Sequence, residues 1–151
     1  MTRINCIPVE FLIDQHLLAE YREMLRIPAA LRKSMKAGRP VATPLFYKMS
    51  EGHIKFFYDK GEFLRKRHIE LKSELKRRGL NHSDLSLSLS DFRHYGFMGD
   101  WDPDYEAMLV NTERLLERID GMKNEPRYCG NKISRDEAKE MAKKWMDKWM
   151  S

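Results

Sequence analysis

Three stretches of this chain carry apolar side chains at helical spacing, and segments rich in proline or glycine separate each from the next. Leu17, Leu18, Tyr21, Met24 and Leu25 recur in the first, Leu64, His68, Leu71 and Leu75 in the second, and Tyr105, Met108, Thr112, Leu115 and Ile119 in the third. A period near 3.6 residues lines each set along one stripe of a helix, and each stripe has to be covered. In 151 residues the simplest cover is mutual. The expected fold is therefore mainly α: a single compact domain of three principal helices plus loops, closed by a C-terminal amphipathic helix.

The breaks set the boundaries. The first helix is expected from Pro8 to about Ile27, with Pro8 tolerated in its first turn, and with an extension toward Gly38 that Pro28 would kink or break. Residues 39 to 55 contain Pro40, Pro44 and Gly52 and read as loop. The second helix is expected from about Asp59 to Arg78, with Gly79 as its C-cap residue and a strongly basic far face. Residues 80 to 103 read as irregular, with one short extended piece where Leu and Ser alternate from Leu85 to Ser90. The third helix is expected from about Asp104 to Met122, and Gly121 to Lys132 is the candidate linker. Residues 1–132 then form the helical domain, and 133–151 a C-terminal helical extension of it.

That extension opens on Ser134-Arg135-Asp136-Glu137, the pattern of a capping box, and sets Ala138, Met141, Ala142, Trp145 and Trp149 on one face with lysines elsewhere. A basic amphipathic helix of this kind docks on a membrane surface, in a partner's groove or, more commonly, on its own domain.

Charge and cysteine content narrow the functional classes. Lys and Arg number 28 against 23 Asp and Glu, a formal net charge of +5, which suits a polyanionic partner if the excess is clustered. Cys6 and Cys129 provide neither metal-ligand spacing nor a disulfide framework, so no metal is expected and a reducing compartment is the default. The N-terminus lacks an apolar signal-type stretch, and no apolar run approaches the ~20 residues of a membrane span. The expectation is an intracellular monomer without membrane attachment.

The chemistry is concentrated in the first 26 residues. A small Thr2 after the initiator Met predicts processing that leaves the Thr2 α-amine at the head of the chain. An α-amine titrates near ~7.7 to 8.0 and a lysine near ~10.4, so Thr2 is a ready nucleophile at neutral pH without burial. An unprotonated amine attacks an electrophilic carbon to form a Schiff base, dividing one hard cleavage into two easier steps. On a helix His16, Glu20 and Glu23 share a face, with Arg22 and Arg26 on its flank. Spacing alone equally describes a solvated helix laced with Glu/Arg pairs.

Longer motifs add to this reading. Met1-Thr2-Arg3-Ile4-Asn5, Asp14-Gln15-His16-Leu17, Ala19-Glu20-Tyr21-Arg22-Glu23 and Arg32-Lys33 form one block. Gly52-His53, Phe56-Phe57-Tyr58-Asp59-Lys60, Glu62-Phe63-Leu64-Arg65-Lys66-Arg67, Ile69-Glu70-Leu71 and Arg78-Gly79 form a second. Together, in this order, they resemble the pyrimidine-dimer DNA glycosylase/AP lyase family of phages, other viruses and bacteria. The likeness covers roughly residues 1 to 82 and continues more weakly to about 132. Residues 39 to 55 are several residues shorter than the family's phage member, and the C-terminal extension is absent from it.

What the resemblance implies is a cofactor-free glycosylase with AP-lyase activity on cyclobutane pyrimidine dimers in duplex DNA. Thr2 matches the amine nucleophile that attacks C1′, and Glu23 the essential carboxylate that works as acid and base. Arg3, Arg22 and Arg26 match phosphate-contacting or site-shaping arginines, a role suited to the permanently charged guanidinium fork. His16 matches an active-site histidine, and Arg114 and Arg118 a weaker basic pair on the third helix. Asp14, Gln15, Gly52 and His53 are expected to be structural. The family's aromatic C-terminal patch is largely missing, with Tyr128 the surviving candidate, so another damaged base remains open as substrate. A non-catalytic basic DNA-binding module would keep the arginines without needing Thr2 and Glu23.

Overall fold

The computed structural model describes residues 3–49 and 52–150. Its helices are α1 (Asp14–Glu23), α2 (Arg26–Lys36), α3 (His53–Phe56), α4 (Gly61–Arg78), α5 (Ser90–His94), α6 (Tyr105–Asp120), α7 (Arg135–Lys143) and α8 (Trp145–Met150). Two short antiparallel strands, β1 (Arg127–Tyr128) and β2 (Asn131–Lys132), form a hairpin within the segment expected to be a linker. The fold is mainly α, a single domain around one principal core, as the periodicity predicts. No helix among the described residues is long and apolar enough to cross a membrane.

The boundaries differ from expectation in instructive places. The first helix begins at Asp14 rather than near Pro8, because Val9–Phe11 makes a 3-10 turn and Leu12 and Ile13 stay extended. Both are almost fully buried in that extended form. The expected break at Pro28 lies earlier, between Glu23 and Arg26, and Pro28 falls in the first turn of α2, where a missing N–H costs nothing. Residues 39 to 55 are not all loop, since α3 occupies the last of them. From Leu85 to Leu89 the leucines turn inward and the serines outward, yet no strand pairing forms there. Gly79 caps α4 in the left-handed region at φ 67°, as its position implies.

The basic far face expected on α4 is not simply solvated. Arg67 is buried and holds both carboxylate oxygens of Glu20, at 2.7 and 3.0 Å, while its third nitrogen donates to the Ile7 carbonyl at 2.7 Å. Glu20 is thereby turned into the core rather than offered to a cleft. Arg78, also buried, pairs with Asp14 and Glu74 and lies over the Tyr128 ring, its carbon 4.1 Å from the centroid. Asp14 also accepts from the Cys129 and Gly130 backbone N–H groups, and Gln15 bonds the Glu125 carbonyl and the Arg127 N–H. Tyr128 donates to the Glu10 carbonyl. The hairpin is thus sewn to α1 and α4 by polar side chains, and Tyr128 has a structural post.

The C-terminal helix packs on its own domain. Ser134 and Glu137 complete the capping box, α7 lies against α6, and Trp145 is buried with its indole N–H donating to Thr112 at 2.7 Å. Trp149 is only half covered, because α8 is a separate helix after a break at Lys144.

The Glu20–Arg67 pair joins α1, α4 and the N-terminal segment, which sets up a stability test. Glu20→Ala leaves a buried guanidinium without its counter-ion and is expected to lower unfolding free energy by about 3 to 5 kcal/mol. The double change Glu20→Leu with Arg67→Met is expected to lose less, and urea unfolding at pH 7 measures both.

Candidate active site

Residues 3 to 7 run extended through the middle of the fold without a strand partner. Several of their backbone groups are met instead by side chains from five parts of the chain. The Arg3 N–H donates to Glu23 Oε2 at 2.9 Å, and the Ile4 N–H to His53 Nε2 at 2.7 Å. The Ile4 carbonyl accepts from the Tyr47 hydroxyl at 2.8 Å. Cys6 and Ile7 N–H groups share Asn111 Oδ1, at 2.8 and 3.2 Å, and Arg67 reaches the Ile7 carbonyl. Asn5 bridges Glu20 and Asn111 with its side chain. Thr2, named from the sequence as the nucleophile, lies outside the described residues, immediately before this clamped stretch.

Beside the segment is a narrow cleft lined by Arg3, Asn5, His16, Glu20, Glu23 and Arg118. Four of the residues singled out from sequence therefore meet in one place: Arg3 from the extended segment, His16 and Glu23 from α1, and Arg118 from α6. Arg114, one turn before Arg118, is partly buried, with a long 3.9 Å approach to Glu117. Arg22 and Arg26 stand on the exposed side of the α1–α2 corner. Arg22 borders a second, wider cleft of about 610 Å³ with Tyr21, Asn81, His82, Ser83 and Leu85. His16, Glu20 and Glu23 do line one cleft, but Glu20 is held in the buried pair with Arg67.

Electrostatics in the cleft are dominated by positive charge. Burial, and then the proximity of Arg118 and Arg114, brings the Arg3 guanidinium down from 12.5 to about 10. Burial, then Arg118 and Arg3, lowers His16 from 6.5 to about 4, so its imidazole is neutral at physiological pH and has no proton to donate there. Burial also lowers His53 to about 4, with Arg3 and Arg114 adding to the effect. His53 Nδ1 faces the Lys48 carbonyl at 2.8 Å, which can only accept, so Nδ1 carries the proton and Nε2 is free to accept from Ile4. Burial pushes both the Cys6 thiol and the Tyr47 hydroxyl up, which keeps Cys6 inert and Tyr47 a donor.

Sequence reasoning did not assign His53, Tyr47, Asn5 or Asn111 to the neighbourhood of the site. Asn111 carried a signal all the same: it adjoins the apolar stripe of α6 and is fully buried, where an amide without partners would be costly. His53 read as a fold determinant, and its ring does hold backbone; the backbone it holds is two residues from Thr2.

A carboxylate and a neutral imidazole thus stand together in an arginine-lined cleft beside the clamped N-terminal segment. The family model described as pyrimidine dimer DNA glycosylase matches residues 1–87, more than half of the chain. The protein belongs to that family: it is a DNA-repair glycosylase that acts on pyrimidine dimers.

The two depressed histidines make stability depend on acid. Each binds a proton more readily unfolded, near 6.5, than folded, near 4, so their contribution is complete above pH 6.5 and is lost as pH falls from 6.5 toward 4. Urea unfolding across that window is expected to show a steady fall in stability. His53→Gln, whose amide can both donate to Lys48 and accept from Ile4, is expected to flatten the curve; an unchanged slope would show that His53 is not its source.

Proposed function

We propose that the protein is a bifunctional DNA glycosylase and AP lyase that removes cyclobutane pyrimidine dimers through an imine on the Thr2 α-amine, without a cofactor. One observation carries this reading. The Glu23 carboxylate accepts the Arg3 N–H at 2.9 Å, so a potential acid and base lies one peptide unit from the amine that removal of Met1 would expose.

The steps balance around these groups. The unprotonated amine attacks C1′, the glycosidic bond breaks, and its electron pair leaves with the pyrimidine, which takes up a proton. The attacking nitrogen loses a proton to Glu23, which delivers it to O4′ as the C1′–O4′ bond breaks, leaving a protonated C1′ imine. The Glu23 carboxylate then takes a C2′ proton as the C3′–O bond breaks and the 3′-phosphate leaves by β-elimination, and water hydrolyses the imine to return the free amine. Carboxylate at Glu23 also favours the cationic character that develops at the sugar.

The arginines serve two tasks in this scheme. Arg22, Arg26, Arg114 and Arg118 attract and hold the phosphate backbone. After burial itself, Arg118 and Arg3 also help to hold His16 neutral, and Arg118 and Arg114 add to the lowering of Arg3. His16, held neutral, is available as a hydrogen-bonding partner or a proton acceptor. The wide cleft beside Arg22 has room for a nucleotide displaced from the stack, which access to C1′ requires at a cost of a few kcal/mol.

Borohydride reduction tests the imine. The processed protein is expected to form a covalent adduct with dimer-containing and abasic duplex; retaining Met1, or adding one residue before Thr2, is expected to cut turnover by at least a hundredfold. Absence of any adduct would sink the imine mechanism, and unchanged turnover with Met1 retained would move the nucleophile to a lysine. Glu23→Gln is expected to keep DNA binding while lowering kcat by about 10²- to 10⁴-fold, the usual range for losing a general acid or base. Arg118→Gln is expected to weaken binding of duplex DNA and to reduce the salt dependence of that binding, and binding that stays in place would separate Arg118 from the phosphate backbone.

A further inference from the structure

The loop that clamps Ile4 carries the most exposed large apolar side chains outside the C-terminal helix. Leu45 is 89% and Phe46 76% exposed, at consecutive positions on a tip whose two sides are both anchored. On one side Tyr47 is buried, donates to the Ile4 carbonyl and stacks on Trp101. On the other, Pro44 folds over Gly52, which has a left-handed φ of 94°; a Cβ there would lie 3.3 Å from Pro44 and 3.0 Å from the Lys48 side chain. The tip is a preformed protrusion.

Its place in the fold indicates what it meets. Tyr47 and His53 are the two side chains that grip Ile4, so the tip's root is tied to the segment that leads into Arg3 and the cationic cleft. Leu45 and Phe46 lie within about 7 Å of chain from Tyr47. Lys48, exposed beside the tip, adds positive charge where a phosphate backbone would pass. Two exposed apolar side chains in a basic setting are poorly suited to water and well suited to the gap between unstacked bases, where other DNA-bending proteins insert Phe, Leu, Ile or Pro.

We propose that Leu45 and Phe46 form a wedge that enters the base stack of duplex DNA at the lesion and holds the duplex open while the sugar is presented to the cleft. The inference rests on the chain's membership of a DNA glycosylase family and does not depend on the imine. Because both side chains face solvent, their removal leaves the core intact.

The test uses the full processed protein and the double variant Leu45→Ser with Phe46→Ser. The probe is a duplex containing one cyclobutane dimer with 2-aminopurine beside it, whose fluorescence rises on unstacking. The variant is expected to keep its melting temperature and the salt dependence of binding. It is expected to lose most of the fluorescence rise and to release the dimer from duplex roughly tenfold to a hundredfold more slowly, the scale of a few kcal/mol of unstacking. Cleavage of a single-stranded abasic oligonucleotide, which has no stack to open, is expected to stay within about twofold, and Phe46→Trp is expected to retain duplex activity. A full fluorescence rise and full duplex rate in the double variant would overturn the wedge. So would an equal loss on single strand and duplex, or a wild-type dimer in sedimentation that the variant abolishes while DNA kinetics stay the same.

Discussion

The architecture depends on an extended segment that has no strand to pair with. Residues 4 to 7 are buried where a β-ladder would ordinarily satisfy their N–H and carbonyl groups, and an unsatisfied buried backbone group costs about as much as a lost hydrogen bond. Glu23, His53, Tyr47, Asn111 and Arg67 supply the missing partners. These five side chains come from α1, α3, the loop before α3, α6 and α4, so the segment also acts as the pin around which the helices are arranged. Side-chain partners fix direction as well as energy.

The same economy appears in the charges. The protein has more positive than negative groups, yet its two most buried cations, Arg67 and Arg78, are spent on internal carboxylates and carbonyls. Arg3, Arg114 and Arg118 remain around the cleft, where burial first and the nearby positive charge second lower Arg3 and His16. Burial of polar groups and concentration of like charge both carry a stability cost, and a large apolar core running from Ile4 to Trp145 offsets it.

Helix type was readable from the sequence because an apolar stripe at period 3.6 has one economical interpretation. Where the helices stop was less readable. Leu12 and Ile13 are apolar enough to join α1, yet their burial depends on staying extended, which only the three-dimensional core decides. Pro28 looked like a breaker because local rules cannot tell a helix interior from a first turn. The hairpin at 127–132 was hidden for another reason: its stability comes from Asp14, Gln15 and Arg78, more than forty residues upstream. In the site, Arg3, His16, Glu23 and Arg118 were legible through motif and spacing. His53 and Asn111 were not, because their work is to hold backbone, and holding backbone leaves no trace in charge pattern or period.

The Asn111 clamp has a consequence for how the molecule is made. Its contacts to Cys6 and Ile7 span 105 and 104 residues, so the N-terminal segment cannot be fastened until α6 has been synthesised and has left the ribosome. Closing so long a loop is entropically late, and the nascent chain displays its N-terminus in the open until then. A chain interrupted before Asn111 would carry Glu23 and much of the arginine set but lack the contacts that hold Cys6 and Ile7. The order of translation thus makes the fastening of the N-terminal segment one of the last events in building the fold.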